Sequence, residues 1–243
     1  MKTNAIFFLS MMMSTITFGQ MNPQFQLEEL QTTQPEFLSF DTCYQGIEVN
    51  SIHDYLSNTV KYSQGSADCC LPGTEVIAFV VTSTGELTGF RVINSVSSAI
   101  DDKMISVLKG TSGNWMPGFI NGEPVDMEKE VSLVFIPYDN YDIVKEAKYY
   151  MDKGNNLLYV KKNPKRAMKC FNEAFRLRPS NESILAARSI CKFELGDEQG
   201  AIQDCNRIIA LNSYDGIQLD AADPIELLEQ LITGYTVNPI AYK

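Results

Sequence analysis

Two apolar, β-branched runs separated by a short turn constrain this chain more than any other feature. Thr74 to Val81 is nearly continuous through Val76, Ile77, Phe79, Val80 and Val81, and Glu86 to Ser95 alternates through Leu87, Phe90 and Val92. Thr82-Ser83-Thr84-Gly85 lies between them, so the runs form an antiparallel hairpin. A lone hairpin is marginal in water, and flanking segments must cover it. Ile52, Tyr55, Leu56 and Val60 fall on one side of a short helix before it, with a turn around Pro72-Gly73. After it, Ser98 stands three residues before Asp101 as a capping-box-like start. Ile100, Met104, Val107 and Leu108 then mark one apolar helix face. Trp115-Met116-Pro117-Gly118 and Asn121-Gly122 punctuate the chain. A third strand runs from Glu128 to Ile136 with Val131, Leu133 and Phe135 facing inward. Helix, strand, strand, helix, strand is an α+β layer: a small three-stranded antiparallel sheet with packed helices.

Residues 141 to 212 carry a different pattern. Asn163-Pro164-Lys165-Arg166-Ala167 leads to Cys170-Phe171, Ala174 and Leu177-Arg178-Pro179, and Gly196-Asp197 leads to Ala201-Ile202, Cys205, Ile208 and Leu211-Asn212. Ala167 and Ala201 are 34 residues apart, and the spacing resembles that of tetratricopeptide repeats. The second copy is looser, with Cys205 where the first has Phe171, and the helix near Tyr141 to Tyr159 matches weakly. The helix from Pro224 to Ile232 caps an all-α helical-repeat segment. Cys170, Cys191 and Cys205 read as small core residues.

At the N-terminus, Lys2 precedes a mostly apolar stretch from Ala5 to Phe18, and Thr17 and Gly19 place small residues before Gln20. This pattern predicts a signal peptide, residues 1–19, cleaved after Gly19. The stretch is shorter than the roughly 20 apolar residues of a spanning helix, so the mature chain is expected to be exported, periplasmic or outer-membrane-associated, and not integral to a membrane. Residues 20–45, rich in Gln, Glu, Thr and Pro, read as a flexible leader. Export permits disulfides among Cys43, Cys69 and Cys70. Adjacent Cys69 and Cys70 do not suit a mutual bond, so one of them pairing with Cys43 is preferred. The remaining boundaries are a first domain at 46–137, the repeats with their cap at 138–233, and a tail at 234–243.

A net charge of −10 argues against a protein that tracks nucleic-acid backbones or anionic lipid. The charge is uneven. Residues 1–140 carry 6 basic and 16 acidic side chains, whereas 141–212 carry 13 and 9. Catalytic constellations are absent. His53 is the only histidine, and it lies on the short first helix. Gly110-Thr111-Ser112-Gly113 lacks the lysine of a phosphate loop. Asp101 and Asp102 point about 100° apart on a helix and suit its N-terminal dipole instead. No CxxC spacing supports redox chemistry or a zinc site. The expectation is a non-enzymatic protein with no cofactor, no metal and no small-molecule substrate.

The hairpin segment also carries a resemblance. Tyr55-Leu56, Lys61-Tyr62, Gly73-Thr74-Glu75-Val76, Thr84-Gly85-Glu86-Leu87, Val92-Ile93-Asn94-Ser95, Ile100-Asp101, Trp115-Met116-Pro117-Gly118, Asn121-Gly122-Glu123-Pro124-Val125 and Val131 to Phe135 occur in order. Together they resemble the C-terminal domain of TonB in its Bacteroidetes-type form. Ser63 in place of a common Pro, the Cys69-Cys70 pair and Lys103-Met104-Ile105-Ser106 in place of an Ala-rich helix depart from it. The resemblance implies that an extended segment of an outer-membrane transporter adds to the sheet edge formed by Glu130, Val131, Ser132, Leu133, Val134, Phe135 and Ile136. A linker of about 25 residues at about 3.5 Å each reaches only about 90 Å, which favours recognition over energy transduction. The alternative is a tetratricopeptide scaffold for assembling a secretion or motility complex of the envelope. Its basic face, Lys161, Lys162, Lys165, Arg166, Lys169, Arg176 and Arg178, would meet an acidic peptide or dock on the acidic first domain.

Overall fold

A computed structural model describes residues 31–38, 51–61, 71–214 and 223–237. The predicted signal peptide and Cys43, Cys69 and Cys70 lie outside the described residues. The hairpin forms as the alternation requires, from β3 (Gly73–Val81) and β4 (Leu87–Asn94). β8 (Met127–Phe135) pairs antiparallel with the other side of β3, Ile77 opposite Val131 and Glu75 opposite Leu133, which gives the order β4-β3-β8. The third strand therefore starts and ends one residue earlier than its sequence pattern, and Ile136 lies just beyond it.

Odd-numbered residues of β3 and β8 face one core. Ile77, Phe79, Val81, Val131, Leu133 and Phe135 pack there against α1 (Ile52–Thr59) and α2 (Ser98–Lys109). α2 is capped by Ser97, whose Oγ accepts from the Ile100 N–H; Ser98 is its first helical residue, not its cap. Ile100, Met104 and Leu108 are buried, while Val107 at the margin of that face is only half-buried.

The punctuated stretch after α2 is structured rather than a plain connection. β5 (Trp115–Met116), β6 (Gly118–Ile120) and β7 (Glu123–Val125) follow one another, and β6 and β7 pair across Asn121-Gly122. Both turn residues have positive φ, 52° and 85°, the conformation that short hairpin loops need and that Asn-Gly tolerates. Part of the expected leader also belongs to the fold. β1 (Thr32–Thr33) pairs with β6, and β2 (Glu36–Phe37) pairs with β5. The polar composition that suggested a flexible leader hides Pro35 and Phe37, which are two residues apart and both buried.

The second half is a stack of helices: α3 (Ile143–Asn155), α4 (Pro164–Leu177), α5 (Glu182–Glu194), α6 (Glu198–Tyr214) and α7 (Pro224–Val237). α3 runs on into a π-turn, Asn156–Val160, where the Lys161 N–H donates to the Asn156 carbonyl (3.0 Å). That widened turn ends the regular helical spacing of α3. Ala167 and Ala201 are equivalent by spacing and equally buried, as are Phe171 and Cys205. Gly154 permits the close approach of α3 to α4, since a Cβ there would lie 2.6 Å from the Phe171 ring. Among the described residues no helix is long and apolar enough to cross a membrane.

Candidate functional site

Strand β8 is an edge of the three-stranded sheet among the described residues. Val131, Leu133 and Phe135 anchor it in the core, while Ser132 and Val134 point the other way and are exposed, Val134 at 51%. The α1 end lies beside it, and Ser57, Val60, Lys61, Leu133, Val134 and Ile136 line a shallow groove of about 220 Å³. The predicted edge residues Glu130 to Phe135 lie together in β8, with Ile136 just beyond it. Glu130 does not face a free surface: Arg207 of α6 grips its carboxylate through two nitrogens, Nη2 to Oε2 at 2.8 Å.

That ion pair belongs to a junction in which the helices cover the outer face of the sheet. The last carbonyls of α4 have no partner within their own helix, and the sheet supplies the donors. Thr74 Oγ1 donates to the Leu177 carbonyl (2.6 Å), and Asn94 Nδ2 donates to the carbonyls of Arg176 (3.0 Å) and Thr74 (2.6 Å). Arg176 turns back to the Pro72 carbonyl and to Glu173. It therefore leaves the basic face assigned to it and serves the intramolecular docking that the charge distribution also allowed. Val76 and Ala78, on the side of β3 away from the core, are buried beneath this contact.

Lys161, Lys162, Lys165, Arg166 and Lys169 remain exposed, gathered between the π-turn and the first turns of α4. Arg178, half-buried just past the end of α4, is separated from them by the length of that helix. The basic face is accordingly a patch at one helix end, not a stripe along it.

Between the outer face of the sheet and the helices lies a cleft of about 460 Å³. Its floor holds charges that the sequence did not single out. Asp204 (side chain 4% exposed) accepts from Arg188 Nε (2.8 Å) and Nη2 (2.5 Å) and pairs with Lys192 Nζ (2.9 Å). The Arg188 guanidinium also sits over the Phe175 ring, 3.4 Å from its centroid. Arg188 and Lys192 stand four residues apart on one face of α5, and only the packing of α6 reveals the carboxylate between them.

His53 is exposed, and no cluster of three His, Cys, Asp or Glu suited to a metal ion occurs among the described residues. Cys170, Cys191 and Cys205 are buried free thiols. Burial pushes the Cys191 thiol up to about 12, with the Glu194 charge adding to it, so its thiolate is suppressed. Comparison of the sequence with models of known protein families and with curated protein sequences gives no match in either case.

Proposed function

We propose that this chain is a non-enzymatic, exported protein of the cell envelope that binds an extended peptide by strand addition along β8. The observation that carries this reading is the edge itself. Its side chains at 131, 133 and 135 are committed to the core, its opposite face at 132 and 134 is open, and no further strand pairs with it among the described residues. Such an edge supplies affinity through backbone groups and selection through alternate side-chain positions. The resemblance to the TonB C-terminal domain names the partner class, a segment of an outer-membrane transporter exposed to the periplasm.

Titration of the full chain with a synthetic peptide copying such a segment should give saturable binding. N-methylation of alternate peptide nitrogens should weaken it at least tenfold, because each methyl removes a ladder donor. Val134→Asp, on the exposed side, should alter which peptides bind while leaving the fold intact. Binding that tolerates every N-methylation pattern would rule out strand addition.

The exposed patch Lys161, Lys162, Lys165, Arg166 and Lys169 favours a second reading, a tetratricopeptide-like scaffold for an envelope assembly that takes an acidic peptide. Under that reading a Lys165→Glu, Arg166→Glu, Lys169→Glu triple variant loses its partners from pull-downs while the Val134→Asp variant keeps them.

A further inference from the structure

The segment before the first helix is seated on the fold as a bound peptide would be. Residues 31–38 run extended over the β5–β6 edge. Thr32 and Thr33 pair with Ile120 and Phe119, and Glu36 and Phe37 pair with Met116 and Trp115. At its ends the Leu38 N–H donates to the Asn114 carbonyl (2.9 Å), and the Gln31 carbonyl accepts from the Asn121 N–H (2.8 Å). Only two of its side chains are buried, Pro35 and Phe37. The Phe37 ring, 8% exposed, lies between Trp115 (centroids 5.4 Å apart) and Tyr55 (6.4 Å). Everything else in the segment is exposed. Two ladders of two residues each, with one aromatic anchor, form a contact held by backbone bonds and a single pocket, the anatomy of peptide recognition by strand addition.

We infer that the β5–β6 edge, with the pocket of Trp115, Tyr55 and Phe79 behind it, is a second peptide-binding groove, filled in cis by Gln31–Leu38. Its ligand class is an extended segment with an aromatic side chain two residues after a proline. The groove is separate from the β8 edge and does not depend on the function proposed for that edge. A partner bearing the same pattern displaces the resident segment, because both need the same backbone donors and the same ring pocket.

Trp115 provides the readout, being the one tryptophan in the sequence and buried at 3% exposure against Phe37. In the full-length Phe37→Ala variant the pocket empties and Trp115 emission should shift to the red. Adding the free peptide Gln31–Leu38 should return the emission to the blue, saturably. The wild-type chain, its groove occupied, should bind the peptide at least tenfold more weakly, and a peptide with Phe37→Ala should lose at least tenfold in affinity for the opened variant. Should Phe37→Ala fail to fold, Leu38→Pro serves instead. It removes the N–H donated to Asn114 while leaving the core untouched, since Leu38 is half exposed. An opened variant that retains its far-ultraviolet spectrum but shows no saturable response to the peptide would overturn the inference. Equal binding to the wild-type chain would overturn it as well.

Discussion

Replacing Glu75 by Gln makes the fold more stable at alkaline pH and flattens its pH dependence. Glu75 lies on the core face of β3 and is fully buried. Its Oε2 accepts from the Val96 N–H at 2.8 Å. Burial raises its carboxyl from 4.5 to about 8, and the neighbouring Asp101 charge pushes the same way, against the opposing pull of the Val96 N–H. Asp101 itself is held by the Ser95 hydroxyl at the start of α2. Below 4.5 both the folded and the unfolded chain hold the Glu75 proton. Between 4.5 and about 8 the folded chain keeps it and the unfolded chain has lost it, so stability falls as pH rises and levels off above that window. At about 1.4 kcal/mol per unit, the ceiling on this loss is ~5 kcal/mol. The Gln amide oxygen can still accept from Val96, and the amide carries no charge to bury. Denaturant unfolding at several pH values checks this: the two proteins should converge in acid and diverge steadily up to pH of about 8. Parallel curves would show that Glu75 ionises in the fold without penalty.

Asp204→Ala should be among the most destabilising single substitutions in the helical half. It removes the carboxylate shared by Arg188, whose side chain is 11% exposed, and Lys192. Breaking a buried pair leaves uncompensated charge, typically at a cost of about 3 to 5 kcal/mol, a large share of the roughly 5 to 15 kcal/mol that holds a fold together. Lys192 can swing toward water on its flexible stem, whereas Arg188 is fixed over Phe175. The double variant Asp204→Leu with Arg188→Met should therefore recover most of the loss, since apolar side chains of similar volume replace the fixed pair and the remaining Lys192 charge can reach water. Thermal unfolding of the two variants decides this. A double variant as unstable as Asp204→Ala would place the cost in packing rather than in charge.

Much of the architecture follows from local pattern. The two β-branched runs between Val76 and Val92 produce β3 and β4, the spacing of Ile100, Met104 and Leu108 produces the buried face of α2, and Ala167 in α4 and Ala201 in α6 are both buried. Of the candidate site, the core-facing residues of β8 were legible for the same reason, because a strand buried on one side writes its orientation into every second residue. The partners that Arg176 and Glu130 find within the fold were not legible, because a charged side chain carries no periodic mark of its partner. The residue that answers Glu130 is 77 positions away.

The sequence by itself thus determined the longer elements, β3, β4, β8, α1 and α2, and which of their faces are apolar, since those depend on neighbours one to four residues apart. Only the tertiary structure decided how the two halves meet and what the leader does. The end carbonyls of α4 are satisfied by Asn94 and Thr74, 82 and 103 positions away, and the pocket for Phe37 exists only once Tyr55, Phe79 and Trp115 have converged. Unpaired helix ends and half-built pockets look for partners in space, and distance along the chain leaves no trace of where those partners will be.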